Sequence, residues 1–362
     1  MRVASLTGLR GIAAVAVLLY HIPQQAVFAG FAMPLFSRAY LAVDLFFILS
    51  GFVISVGYYE KVARQWSLPA YGDFLVNRAA RVWPLHLVVT LVCIARILVN
   101  ISGSQSIPLT PANILSNLLM VQSWGWGTEP IAGNSWSVST EMAAYLLYPL
   151  VAAVAFSRWV WVQGLAAVAL LWLVSRSGLG ASGPMDVLAS DSVLTLLRCL
   201  GGFALGVIAY RCAQMRWARA LFDRPGAFLV VCAVLALALW LPEKQDLLAV
   251  CIMPALVLCC YYDGAVARGL LANPLSFHLG LISYSIYLWH PLVRDIGARA
   301  LSVAQRHGVT GMDALFLIGT VAATWLLCWA SYHLIEVRGH RAIKWLYDGH
   351  RARAKAIGAA AW

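Results

Sequence analysis

The chain has 362 residues, 62% of them hydrophobic and only 11% charged, with a mean hydropathy of +0.78. That balance excludes a soluble globular domain, and apolar runs such as AVLALALWL exclude the short alternating segments of a transmembrane β-barrel. A net charge of +11 raises the question of nucleic acid, but the cations gather in a few loops and at the C-terminus. Positive-inside topology accounts for that pattern, so no nucleic-acid partner is expected.

In chain order, membrane-crossing helices are expected at Leu6–Gln24, Tyr40–Tyr59, Val82–Ile101, Ser137–Phe156, Trp159–Ser175 and Asp191–Arg211. Four more are expected at Gly226–Leu241, Leu247–Tyr262, Phe277–Gly297 and Gly311–Ile335. Ala112–Trp124, with about 13 residues, is too short to span and reads as a re-entrant helix. With ten spans and the N-terminus inside, 17 of the 26 Lys and Arg fall on the inner side. Counting Ala112–Trp124 as a crossing would push the basic Arg211–Arg224 loop outside, against that asymmetry. The expected fold is therefore all-α, a polytopic membrane protein of about ten transmembrane helices plus a short re-entrant helix, with both termini cytoplasmic. Residues 1–345 are expected to form the transmembrane domain and residues 346–362 a basic cytoplasmic tail.

Arg2 and Arg10 ahead of a short apolar run resemble a signal peptide, but cleavage would remove the most chemically loaded segment of the chain. The eight cysteines lie mostly in apolar stretches without CxxC or Cys/His spacing, so they read as small buried thiols and no metal is expected.

The titratable groups inside the spans carry the functional signal. Eleven residues separate Arg10 from His21, which puts both on one helix face roughly 16 Å apart along the axis. Arg10 alone would read as a snorkelling interfacial cation, and His21 alone as a hydrogen-bonded structural histidine. Other groups converge on the outer level, however. Asp44 in YLAVDLFFILSGFVIS and Glu141 in NSWSVSTEMAAYLLYP are expected near His21, where a carboxylate would fix the imidazole tautomer. Ser137 lies one turn from Glu141, and Tyr287 and His290 in SYSIYLWHPL approach the same depth. On the inner side, Arg78 and Arg81 in LVNRAARVWPLH suit a grip on phosphate, although topology alone would also place arginines there. Trp124, Trp126 and Trp136 in the glycine-rich WGWGTEPIAGNSW read equally as belt anchors and as a stacking platform for a sugar ring. Arg198 needs a buried partner, with Asp191 or a site carboxylate as candidates.

Together LRGIAAVAVLLYH, VDLFFILSGF, NRAARVWPL, NSWSVSTEMAAYLLYPL and SYSIYLWHPL, in this order, resemble the acyltransferase 3 family of multi-span proteins that O-acylate cell-surface sugars. The resemblance implies transfer of an acyl group, commonly acetyl, from cytoplasmic acyl-CoA to an acceptor hydroxyl of a cell-surface or exported carbohydrate. Acyl-CoA is then a co-substrate, with no permanently bound cofactor, and the location is a bacterial inner membrane. It also implies that Arg10 and His21 form the catalytic-helix pair, with Arg78 and Arg81 near the coenzyme. LIEVRG lacks the proline that relatives more often carry two residues after the glutamate, which leaves any role of Glu336 open. No fused SGNH hydrolase-like domain is expected. The alternative from another class is a proton-coupled transporter, which would also line a membrane cavity with His, Asp, Glu and Arg but typically shows pseudo-symmetric halves. A non-catalytic membrane scaffold would not require the buried histidine.

Overall fold

Helices make up the regular structure of the computed structural model, which describes residues 3–21, 36–99, 107–188, 192–241, 245–308, 311 and 313–360. The expected span ends at Gln24 and Ile101, the candidate partner Asp191 and the last two residues of the expected tail lie outside these. Among the described residues the only β-type pairing is an isolated bridge between Gly180 and Val187.

The chain runs α1 (Ala4–His21), α2 (Ala42–Tyr58), α3 (Leu68–Leu98), α4 (Pro111–Leu118), α5 (Trp136–Ala155), α6 (Val160–Arg176) and α7 (Leu194–Ala213). It continues through α8 (Arg216–Phe222), α9 (Ala227–Trp240), α10 (Asp246–Tyr262), α11 (Ala265–Leu271) and α12 (Pro274–Leu281). The last three helices are α13 (Ser283–Arg306), α14 (Asp313–Ser331) and α15 (Val337–Ala360). Six described helical segments are long and apolar enough to cross a membrane, or eight if the bent pairs α8–α9 and α10–α11 each count as one crossing. Other expected spans do not reach that measure. α6 has 17 residues, and Phe277–Gly297 is broken at Ile282, with Arg294 and Asp295 in the middle of α13.

α4 has eight residues, short as its sequence requires, and starts on Thr110, whose side chain accepts from Asn113 N. α3 starts much earlier than Val82, because Ser67 caps it and Pro69 occupies its first turn. Arg78 and Arg81 consequently sit on a continuous helix rather than in a loop. At the other end of the chain, a π-helical turn over Tyr332–Glu336 joins α14 to α15. The expected tail is thus helical as far as Ala360.

Lipid is as apolar as leucine, so helices in a membrane associate through close backbone packing rather than through apolar burial alone. Two glycine contacts supply it here. A Cβ on Gly51 of α2 would drive into the carbonyl of Phe203, and one on Gly206 of α7 into the carbonyl of Ile48. Likewise, Gly280 of α12 lies against the carbonyl of Thr7, and Gly11 of α1 against the backbone of Gly280. The second contact seats α1 so that its Arg10–His21 face meets α13. Gly206→Val is expected to lower the thermal midpoint of the purified protein sharply or prevent its recovery, at the roughly 1–3 kcal/mol or more typical of overpacking. Gly57→Ala, where a Cβ meets nothing within 4 Å, should leave the midpoint unchanged or slightly raised when both are followed by fluorescence-detected gel filtration.

Candidate active site

Two contacts show that α1 and α13 run in the same direction. Arg10 Nη2 donates to Ser283 Oγ at 3.2 Å, and further along His21 Nδ1 lies 3.3 Å from His290 Nε2. The imidazole rings are 4.8 Å apart between centroids. Each histidine also places Nδ1 against the carbonyl one turn earlier, His21 on Val17 O at 2.9 Å and His290 on Ile286 O at 3.1 Å. A carbonyl oxygen can only accept, so Nδ1 carries the proton in both rings. His290 Nε2 is then an acceptor facing the His21 Nδ1–H, and His21 Nε2 keeps a lone pair that no described residue shares. The atom of His21 available as base or nucleophile is therefore Nε2.

The carboxylates expected beside His21 lie elsewhere. Asp44 is fully buried and accepts from Arg198 Nε at 3.0 Å and Nη2 at 2.6 Å. Arg198 also donates to Tyr40 O at 3.4 Å and packs its guanidinium 5.4 Å from the Trp136 ring centre. Two charges in low dielectric are stabilised by pairing with each other, and Arg198 engages both oxygens of Asp44. The partner sought for Arg198 is thus Asp44. The Val17 carbonyl and a second histidine occupy the place foreseen for a carboxylate at His21.

Glu141 faces a different space, a cavity of about 130 Å³ between α1, α2, α3, α5 and α13. Arg10, Arg78 and Arg81 line it together with Glu141 and Tyr145, and Ser137 and Tyr287 line it too. Ser137 Oγ donates to Tyr287 Oη at 2.7 Å, and Tyr287 Oη donates to Asn134 O at 3.0 Å. The Tyr287 ring is 6.2 Å from His290 and 6.1 Å from Phe46, so the cavity lining reaches the histidine pair at Tyr287.

A second, larger cavity of about 610 Å³ shares Arg10, Arg78 and Arg81 with the first. Val3, Tyr58, Glu336, His340 and Arg341 line it, so the beginnings of α1 and α15 lie at the same end of the bundle. The Arg78 guanidinium stands 5.3 Å from the Tyr58 ring centre. Glu336, 3% exposed, accepts from Ser285 Oγ at 2.5 Å through Oε1, while its Oε2 has no partner among the described residues. Glu336, Tyr58, His340 and Arg341 were not singled out as site residues. A carboxylate at the end of an apolar span was the available signal for Glu336, and the π-helical turn that carries it is often found at functional sites.

At the opposite end, Trp124 and Trp126 stack at 5.9 Å with 21° between planes, and their indole nitrogens donate to Ser139 O and Val121 O. Gly125 and Gly127 adopt positive φ, which permits the tight turn that stacks the two rings. Trp126 is 63% exposed. Trp136 does not join them: it is 5% exposed, packed against Phe47 and Arg198. Of the three tryptophans read as belt anchors or as a stacking platform, only Trp124 and Trp126 stack together, because Trp136 starts α5 and points into the core.

Asp44→Ala is expected to remove 3–5 kcal/mol of stability by stranding the Arg198 charge, and Asp44→Leu with Arg198→Met to recover part of it. Thermal denaturation of the purified variants measures this. A catalytic Asp44 would give the reverse pattern, lost turnover at unchanged stability.

The acyltransferase-domain family model matches residues 3–333. The chain is 30% identical to the acyltransferase MdmB of Streptomyces mycarofaciens over 328 residues, covering 83% of this chain and 81% of that protein. It is 24% identical to the peptidoglycan O-acetyltransferase OatA of Listeria monocytogenes over 92% of this chain and 55% of that one. A putative peptidoglycan O-acetyltransferase of Bacillus subtilis, YrhL, gives 24% identity over 92% of this chain and 54% of the relative. The chain therefore spans about half the length of these peptidoglycan-modifying relatives. No solved structure matches it. An all-helical chain with several membrane-crossing helices, matched from residue 3 to residue 333, belongs to the acyltransferase 3 family of membrane acyltransferases.

Proposed function

We propose that this protein is an O-acetyltransferase that takes its acyl group from acyl-CoA on the cytoplasmic side and delivers it to a carbohydrate hydroxyl on the outer side. The observation that carries the reading is the pair of cavities joined at Arg10, Arg78 and Arg81 and extending to Ser137 and Tyr287, beside the histidine pair. A CoA thioester has a highly anionic head and a long thin arm. The larger cavity, with its arginines and His340, suits the head. The narrower cavity suits the arm, and the ~16 Å axial separation of Arg10 from His21 is comparable with the arm's length. In this reading the ten-span arrangement places both termini in the cytoplasm of a bacterium and the stacked Trp124–Trp126 pair outside. The peptidoglycan O-acetyltransferase names of two relatives support a carbohydrate acceptor.

The chemistry follows from the tautomer of His21. Its Nε2 takes the proton of the acceptor hydroxyl as the oxygen attacks the thioester carbonyl. The C–O bond forms, the C–S bond breaks, and the imidazolium returns the proton to the departing thiolate. His290 and the Val17 carbonyl hold the Nδ1–H side and stabilise the transient positive charge, the work assigned to a carboxylate in a catalytic triad. Glu141 and Glu336 offset the arginine charge at the junction of the two cavities.

His21→Ala is expected to reduce acyl transfer by about 10²–10⁴-fold while leaving the dissociation constant for CoA unchanged. Arg78→Ala with Arg81→Ala should do the opposite, weakening CoA about tenfold or more while a bound donor still turns over. Calorimetric CoA binding and acyl transfer to native membrane acceptor, measured on both variants, test the two halves separately. Equal loss of both properties in both variants would contradict the division of labour.

A further inference from the structure

The helix that closes the donor vestibule lies beyond the family-matched residues 3–333 and carries a second, separate cavity. Along α15, His340 and Arg341 face the vestibule. One turn on, Lys344, Tyr347, Asp348 and Arg351 face a polar cavity of about 260 Å³. The spacing of three and four residues puts all six on one side of the helix, so one face serves both spaces in succession. Tyr58 lines both cavities and forms the partition between them.

The charges of this second cavity are sorted. Asp73 of α3 accepts from Arg351 Nη1 at 2.6 Å and from Tyr347 Oη at 2.9 Å, a contact that fastens α15 to α3. Asp73 and Arg351 cancel each other, and Asp348 is exposed to water. Lys61, which follows Tyr58 by three residues on the π-helical turn Tyr59–Arg64, and Lys344 have no carboxylate within ion-pair distance among the described residues. The cavity therefore holds two ammonium groups outside any ion pair, beside the paired Asp73 and Arg351 and one water-exposed carboxylate, Asp348. Lys344 is about 6 Å along the axis from His340, one helical turn beyond the vestibule.

We infer that the Lys61–Lys344 cavity is a phosphomonoester subsite that holds the 3′-phosphate at the nucleotide end of a CoA donor. This deepens the donor assignment above and rests on it. The vestibule arginines would hold the diphosphate, the arm would run outward between the helices, and the nucleotide would lie along α15 past Tyr58. Lysine suits this role as a compact point charge reaching a terminal phosphate, while the fork geometry of arginine suits the bridging diphosphate. α15 is then part of the donor site as well as its cover.

The test is isothermal titration of the full-length protein in phosphatidylcholine nanodiscs with CoA and with dephospho-CoA, which lacks only the 3′-phosphate. The wild type is expected to bind CoA about tenfold tighter. Lys61→Ala with Lys344→Ala should erase that preference by weakening CoA alone, with dephospho-CoA affinity unchanged as the control for folding. Equal affinity of the wild type for both ligands, or a variant that weakens both alike, overturns the subsite and leaves the donor assignment standing. Failure of the wild type to bind either ligand overturns the donor assignment and the subsite with it. No CoA preference, together with lysine-dependent retention of phosphatidylglycerol by the protein, overturns the assignment in favour of a lipid headgroup.

Discussion

The Asp44–Arg198 ion pair, buried completely between α2 and α7, shows the constraint under which the rest of the molecule is arranged. An unpaired charge inside a helix bundle is costly, so each must be matched or must face a polar space. Arg38 with Asp246 is a second buried match, reinforced by Tyr40 Oη donating to Asp246 and by the Ala238 and Leu239 carbonyls. The first pair ties together α2 and α7, which close packing at Gly51 and Gly206 has already brought into contact. What remains is a group of arginines and glutamates that face cavities instead of one another. Arg10, Arg78, Arg81, Glu141 and Glu336 belong to that group, and all five lie around the junction of the two connected spaces.

The same constraint bears on His21. A carboxylate at its Nδ1 would bring a further charge to be desolvated, whereas the Val17 carbonyl and His290 are neutral partners already present on α1 and α13. Orientation of the ring is thereby supplied without introducing a further buried charge. His290 in turn is held by Ile286, so the tautomer of one histidine fixes that of the other. In the proposed reaction this leaves Nε2 of His21 as the single basic atom presented to substrate.

Much of this was legible in the chain itself. The 3.6-residue geometry put Arg10 and His21 on one face, and that face does meet α13 along its length. The helix ends of α2, α5 and α10 follow the change from apolar to polar sequence closely. The companions of His21 were not legible, because depth in a membrane is read from distance to a span end and two groups at equal depth can point in different directions. Asp44 and His21 are such a case: each turns to its own neighbour, Arg198 or His290. Trp136 was misread for a related reason, since a loop composition rich in Trp and Gly does not show which ring starts the next helix. The expected boundary at residue 345 falls inside α15, whose second half reads in the sequence as a basic cytoplasmic tail. One face of it is charged because it lines two cavities, and a periodic pattern of His340, Arg341, Lys344, Tyr347 and Arg351 was the signal that could have shown it.

In the proposed reaction the donor enters at the arginine end and the acyl group leaves at the tryptophan end. Membrane vesicles of opposite orientation, prepared from cells making this protein and given radiolabelled acetyl-CoA on the outside only, test it most directly. Inside-out vesicles should incorporate label into their acceptor, and right-side-out vesicles should not. Incorporation by right-side-out vesicles alone, or equally by both, would contradict a path that runs from Arg78 and Arg81 through the bundle to His21.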